Sequence, residues 1–354
     1  MTGRNPYAIS FGRIPRQYIS RDVLIDDIIE AMDSDTPGAQ AFKLTGVRGT
    51  GKTVTLSAIE RALRSDRRWI IIDLRPDGNI LEDLVAQLYS EVPFLAEYID
   101  TEINLSAFGI GIDLKRQKPA ASLDTALKRI LTEVARKGRK VLTVIDEVRR
   151  TPALIDFIQE FQILIREDLP LFLIAAGLYE DIEDVENTDG LTFFLRAEKY
   201  DMTPLNITII REDYKKTLKL DHDTADELAR MTRGYAFAYQ AFGKYMWEAE
   251  DRTISDLVLA KVDDALAGKV YDKIWSELTP KDKWFLSFIV KKESMSASEI
   301  LEVTGQSHND WSVPRRHLIE KGILDGSQRG RVSLRLPRFP EYVQTRMEES
   351  RFNG

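Results

Sequence analysis

The sequence predicts a three-layer α/β fold, a parallel sheet covered by helices on both faces, followed by an all-helical segment and a mixed C-terminal module. Three observations predict it. Apolar runs of strand length, AFKLT at 41–45, WIIIDL at 69–74, VLTVI at 141–145 and LFLIA at 171–175, alternate with amphipathic stretches of helix length. That is the pattern of strands buried on both faces. The strand runs stop near Pro204 and helical periodicity takes over. Near Asp272 the pattern changes again, to helix starts followed by a basic, two-stranded stretch.

The elements follow in order. A helix is expected from Lys52, with Leu56, Ile59 and Leu63 on one face, and others over 80–89, 123–137 and 152–167. Thr151 and Pro152 give the last of these a favourable N-cap and first turn. Residues 103–114 (INLSAFGIGIDL) alternate partly and contain glycines, which leaves a hairpin or an inserted loop open. Beyond 204, helices are expected over 221–231, 235–249 and 254–267. Thr279-Pro280-Lys281-Asp282 then starts a helix, Ser296 to Glu299 is a capping box with Gly305 as its stop, and a third helix ends at Gly322. Pro314 lies inside that helix or sets its first turn. Residues 323–336 (ILDGSQRGRVSLRL) read as a two-stranded wing with a basic turn. The expected divisions are 1–203, 204–271 and 272–354.

Composition bounds the chemistry. The 354 residues are 43% hydrophobic and 30% charged, ordinary for a soluble chain with an ample core. The absence of cysteine excludes disulfides, thiolate zinc sites and cysteine nucleophiles. Three scattered histidines, His222, His308 and His317, give no basis for an imidazole metal site. The N-terminal stretch has arginines but no continuous apolar run, and the longest apolar run, near 169–179, is about half of the ~20 residues that span a bilayer. The expectation is a cytoplasmic chain without a membrane span. The net charge of −7 opposes nonspecific attraction to nucleic acid, yet residues 281–351 hold 13 Lys/Arg against 10 Asp/Glu. A mildly basic C-terminal piece on an acidic body hints at a DNA-facing module.

The segment GVRGTGKT, comprising Gly46, Val47, Arg48, Gly49, Thr50, Gly51, Lys52 and Thr53, fits G-x-x-x-x-G-K-[ST] and is followed by Val54. Glycines let such a loop turn its N–H groups onto phosphate oxygens. Lys52 neutralises the β- and γ-phosphates, the Thr53 hydroxyl ligates Mg²⁺, and the helix that begins here adds its positive end. A strand before the loop and a helix after it are the context this P-loop requires. ATP with Mg²⁺ is the expected ligand. VLTVIDEV at 141–148 supplies the partner acids: Asp146 at the strand end to hold Mg²⁺, and Glu147 as general base for an attacking water. The alternative for these two is a solvated acidic turn.

With both motifs in place, the sequence resembles a bacterial AAA+ ATPase related to the origin-recognition initiators and the archaeal-type STAND ATPases. FGRIPRQYISRDVLIDDII at 11–29 is similar to the family's N-terminal box, LPLFLIAAGLYEDI at 169–182 to its sensor 1 region, FFLRAEKYDMTPL at 193–205 to the join between core and lid, and TRGYAFAYQAFGKYMW at 232–247 to the lid helix with sensor 2. The C-terminal module is similar to the family's winged helix. The resemblance implies adenine held near Pro15, Tyr18 and Ile19, with packing of an N-terminal arm as the alternative. It also implies that Arg196 reaches the γ-phosphate of a neighbouring subunit as an arginine finger, with a surface salt bridge as the alternative. Arg149 and Arg150 face an interface, DNA or solvent. Two departures stand out. Ala175, Ala176 and Gly177 replace the polar side chain of sensor 1, and Phe237 follows Gly234-Tyr235-Ala236 where an arginine is usual, with Arg233 out of register. Each lost transition-state donor costs about 10²–10³ in rate. Slow hydrolysis, a switch rather than a motor, is expected.

On the winged-helix reading, Arg315 and Arg316 on the third helix and Arg329 and Arg331 on the wing are the candidate contacts to duplex DNA. His317, Glu320 and Asp325 dilute their field, and protein binding is the competing use. The leading expectation is an ATP-controlled DNA-binding protein, with a homo-oligomer in view. A STAND-like signalling or defence switch comes second. A small-molecule kinase is disfavoured, because it needs neither lid nor winged helix.

Overall fold

The computed structural model describes residues 4–10, 14–34, 39–92 and 123–352, so the expected hairpin or loop at 103–114 lies outside the described residues. The chain forms two compact units. One comprises Arg21–Thr45 and Lys52–Asp201; the other comprises Met1–Ser20, Gly46–Gly51 and Met202–Gly354.

The first unit is the α/β layer structure. Its elements are α1 (Asp22–Asp33), β1 (Ala41–Thr45), α2 (Lys52–Arg64), β2 (Trp69–Leu74), α3 (Ile80–Glu91), α4 (Leu123–Arg136), β3 (Lys140–Ile145), α5 (Pro152–Ile165), β4 (Leu171–Gly177), α6 (Tyr179–Glu186), α7 (Thr192–Arg196) and β5 (Glu198–Asp201). The sheet order is β2-β3-β4-β1-β5 and every pairing is parallel. Alternate residues of the strands face opposite layers. Phe42, Leu44, Ile71, Leu142, Val144, Phe172 and Ile174 pack with Ile25 and Ile28 of α1 and Leu56 and Ile59 of α2. Ile70, Ile72, Val141, Ile145, Leu171 and Leu173 pack with α3, α4 and α5 through Leu84, Leu88, Ile130, Phe157 and Phe161. Thr151 caps α5, its hydroxyl accepting the Leu154 N–H at 3.2 Å, as its position before Pro152 predicts.

The second unit carries α8 (Ile207–Leu218), α9 (His222–Met231), α10 (Ala236–Glu248) and α11 (Asp256–Leu266), and a π-helical turn (Ala267–Tyr271) that runs directly into α12 (Asp272–Ser276). Then come α13 (Pro280–Ile289), β6 (Ser294–Ser296), α14 (Ala297–Thr304), α15 (His308–Glu320), β7 (Leu324–Asp325), β8 (Arg331–Leu334) and α16 (Phe339–Phe352). Helix α8 has no counterpart among the sequence expectations. Its β-branched start, Ile207 to Ile210, hides an i, i+4, i+8 stripe of Ile210, Tyr214 and Leu218, and Asn206 caps it by accepting the Thr208 and Ile209 N–H groups. The helix start at Thr279 forms as expected and is closed by a capping box with Asp282; the expected capping box at Ser296 forms, and Gly305 ends α14 with φ +64°. Pro314 lies inside α15. The two expected wing strands pair antiparallel, and β6 adds a third strand on β8, giving the order β6-β8-β7. No helix among the described residues is long and apolar enough to cross a membrane.

One pH effect is built into the first unit. Burial, with the Asp73 carboxylate beside it, pushes the Glu60 carboxyl of α2 up to about 7. A carboxyl raised in the native state binds its proton more tightly there than in the unfolded chain. Glu60 therefore costs nothing well below its usual range, and its penalty grows as pH rises from there to about 7. Glu60→Gln is expected to stabilise the protein at pH 8 by roughly 1 kcal/mol and to lose most of that gain at pH 5, checked by urea unfolding at both pH values.

A candidate phosphate-binding site

In a parallel sheet all strands end on one edge, and the loops leaving that edge are where ligands bind. The loop after β1 is the GVRGTGKT segment. Gly49 (φ +77°) and Gly51 (φ +95°) take backbone conformations that other residues adopt rarely. The Thr50 hydroxyl donates to the Val47 carbonyl at 2.9 Å, closing the turn. Lys52 is the first residue of α2, Thr53 the second and Val54 the third, so the loop leads straight into the positive end of a helix.

Strand β3 ends one strand away, with β4 between. The register aligns Ile145 with Ala175 and Ala175 with Lys43. Asp146 follows Ile145 at this edge, and the exposed Thr53 hydroxyl donates to its carboxylate at 2.5 Å. A hydroxyl and a carboxylate thus meet at the start of α2. Glu147 is exposed, with φ +55°, and its backbone N–H donates to the Asp146 carboxylate at 2.9 Å. The Val148 N–H donates to the Ala176 carbonyl at 2.8 Å, fixing the turn against β4. The end of β4, Ala175 to Gly177, is buried and presents no polar side chain, as its sequence implies.

Arg196 closes α7, is exposed, and has no hydrogen-bond or ion-pair partner among the described residues. Its segment is anchored by two polar residues of β1 that the sequence reading passed over. Lys43 is 1% exposed; its ammonium donates to Glu186 at 2.6 Å and to the carbonyls of Phe194 and Leu195 at 2.8 and 3.1 Å. The Thr45 hydroxyl donates to Asp201. Arg150 donates to Thr188 at 2.9 Å, while Arg149 is exposed.

The second unit places the remaining candidates. Pro15, Tyr18 and Ile19 are half-buried. Gln17, between them, donates through its side chain to Asp213 of α8, and its carbonyl accepts from Gln240 of α10 at 2.7 Å. Asp213 also receives the hydroxyls of Tyr7 at 2.6 Å and Tyr239 at 2.8 Å. The loop residues 46–51 belong to this unit. The Tyr235 hydroxyl donates to the Arg48 carbonyl, the Phe237 N–H donates to the Gly49 carbonyl at 3.0 Å, and the Arg48 guanidinium meets Glu277 at 3.4 Å. Arg233 is turned elsewhere, donating to the Leu334 carbonyl at 2.5 Å and to Glu293 at 3.3 Å.

The four C-terminal arginines are not equivalent. Arg331 donates to the Ser294 hydroxyl at 3.0 Å and lies 3.7 Å from Glu299, and Arg316 lies 3.5 Å from Glu320. Arg315 is half-buried on α15 and Arg329 is exposed in the β7–β8 turn, neither with an ion-pair partner among the described residues. No sequence signal marks this difference, because the partners of Arg331 come from β6 and α14.

A domain family described as "Domain of unknown function (DUF8462)" matches residues 268–343. No curated protein matches the sequence. Among solved structures, the chain is similar to the Aeropyrum pernix ORC2 protein in ADPNP-ADP complexes, at 13% identity with 97% of each chain covered and a TM-score of 0.58. It is similar to the ADP form of the same protein at 12% identity, with the same coverage and a TM-score of 0.50. Cdc6p from Pyrobaculum aerophilum gives 15% identity, 97% of each chain and a TM-score of 0.47.

Removing one member of a buried ion pair strands the other. Glu186→Ala is therefore expected to destabilise the protein by about 3 kcal/mol, measured by urea unfolding, and Lys43→Met by less. At the identities given, the likeness establishes architecture: over nearly its whole length this chain has the P-loop AAA+ fold of the ORC2 structures.

Proposed function

We propose that this protein is an ATP-controlled switch that binds duplex DNA. The observation that carries the reading is the meeting of the GVRGTGKT loop end with β3: Thr53, second residue of α2, lies 2.5 Å from the Asp146 carboxylate at the carboxyl edge of the sheet. A hydroxyl and a carboxylate so placed suit Mg²⁺, which takes one or two protein oxygens and completes its shell with phosphates and waters. Bound there, Mg²⁺ would neutralise charge on the β- and γ-phosphates. Residues 46–54 would cradle those phosphates, with Lys52 supplying the counter-charge, and Pro15, Tyr18 and Ile19 would hold adenine.

Glu147, exposed at the same edge, is the general base of this reading, and Arg196 would act on the nucleotide of a second copy. Hydrolysis is slow because the β4 end offers only Ala175, Ala176 and Gly177, and because Arg233 is engaged with Leu334 and Glu293. Glu147→Gln is expected to bind ATP as tightly as wild type while losing most of its turnover. Unchanged turnover would remove Glu147 from the role of base.

We read residues 272–354 as a winged helix, with 1–203 as core and 204–271 as lid. Arg315 of α15 and Arg329 of the wing are the proposed phosphate contacts; Arg331 and Arg316 are already paired within the protein. Two neutralised phosphates give a slope of log affinity against log salt of about −2. Arg329→Ala is expected to reduce that slope by about 1, and Arg331→Ala to leave it nearly unchanged, measured by fluorescence anisotropy on a duplex with ATP present. The pairing of Arg316 and Arg331 within the protein favours one competing reading, a STAND-like switch whose module binds protein. Salt-insensitive or absent DNA binding by wild type would select it.

A further inference from the structure

The loop that precedes Lys52 is held from behind. Three consecutive carbonyls are engaged: Val47 accepts the Thr50 hydroxyl at 2.9 Å, Arg48 the Tyr235 hydroxyl, and Gly49 the Phe237 N–H at 3.0 Å. No peptide bond among the described residues is cis. In a trans unit the N–H points opposite to the C=O. The N–H groups of Arg48, Gly49 and Thr50 therefore each point away from the donor that holds the carbonyl of the same peptide unit. Successive N–H groups turned to one side make an anion cradle.

Two of the three donors come from one place, the N-terminal end of α10. Tyr235 is buried, and burial pushes its phenol well above the usual range, so the hydroxyl keeps the proton it donates. Its approach also explains Gly49. A Cβ at that position would run into the Tyr235 hydroxyl and ring, and φ of +77° already favours glycine.

We propose that Tyr235 is a positioning residue for phosphate binding: with the Phe237 N–H, its hydroxyl presets the peptide planes of the loop before a nucleotide arrives. The proposal rests on the nucleotide-binding reading above. The end of α10 acts on the loop carbonyls, and Tyr235 touches no phosphate.

The test is calorimetric titration of wild type and Tyr235→Phe with ADP and with AMP. Phenylalanine keeps the buried ring and removes only the donor. ADP affinity is expected to fall roughly three- to tenfold, the worth of one neutral hydrogen bond, while AMP, which has no β-phosphate for the cradle, is unaffected. Equal losses for ADP and AMP would mean a general structural role, and no loss or a gain for ADP would mean that the contact does not support the loop; each overturns the proposal. Amide exchange at Phe237 in the wild-type protein decides independently of the variant's folding. ADP is expected to slow it, because the cradle and its supports tighten together, and unchanged exchange with ADP bound overturns the proposal. If wild type binds neither ADP nor ATP, the nucleotide reading itself fails and this inference with it.

Discussion

A parallel sheet forces its strands to end together, and the candidate chemistry of this protein depends on that constraint. β1 and β3 are separated by one strand, so the loop after the first and the acids after the second leave the same edge. The register then brings Asp146 within reach of Thr53 without any special loop. The intervening strand has to stay thin. A Cβ on Gly177 would sit 3.1 Å from Ile182 and 3.4 Å from the Val148 carbonyl, so a larger residue there would have to displace α6 or the Asp146 turn slightly.

The same strand that feeds the loop also anchors the segment carrying Arg196. β1 turns Phe42 and Leu44 toward α1 and α2. Lys43 and Thr45, on its other face by strand alternation, bind Glu186, the end of α7 and Asp201. A buried ammonium is tolerable only when its donors are satisfied, and Lys43 has three acceptors. Neighbouring residues of one strand thus serve packing on one side and positional control on the other.

In the second unit the organising group is Asp213. Its carboxylate gathers Tyr7, Gln17, Thr217 and Tyr239, which ties the N-terminal arm to α8 and α10. Tyr7 lies so close to Gly243 that any side chain there would enter its ring. The arm segment containing Pro15, Tyr18 and Ile19 therefore moves with these helices. The loop at 46–51 is tied to the start of α10 and, through Arg48, to Glu277 just ahead of α13. Arg233, next to this contact, reaches β8. These bonds give the loop direct partners in both the helical segment and the C-terminal elements.

The sequence by itself determined four of the five strands of the sheet to within two residues at either end, because strands buried on both faces must be continuous apolar runs bounded by polar residues; β5, the mostly exposed edge strand EKYD, has no such run. It determined the glycine-rich loop at 46–53, the Asp146-Glu147 strand end, the caps at Thr151 and Ser296 and the helix start at Thr279, because each depends on residues within a few positions of one another. It did not show α8, whose branched start reads as extended until Asn206 caps it, nor β6, three residues whose only reason to be a strand is the edge offered by β8. Only the tertiary structure decided which charges are spent and which remain. Arg331 and Arg329 look alike in sequence, yet one is bound by β6 and α14 and the other stands in solvent. Lys43 looks like a surface lysine until its strand is placed between β4 and β5 inside the sheet. The contact between Tyr235 and Arg48 joins residues 187 positions apart. A hydrogen bond across that distance exists only once packing has brought its two ends together, so no local pattern can announce it.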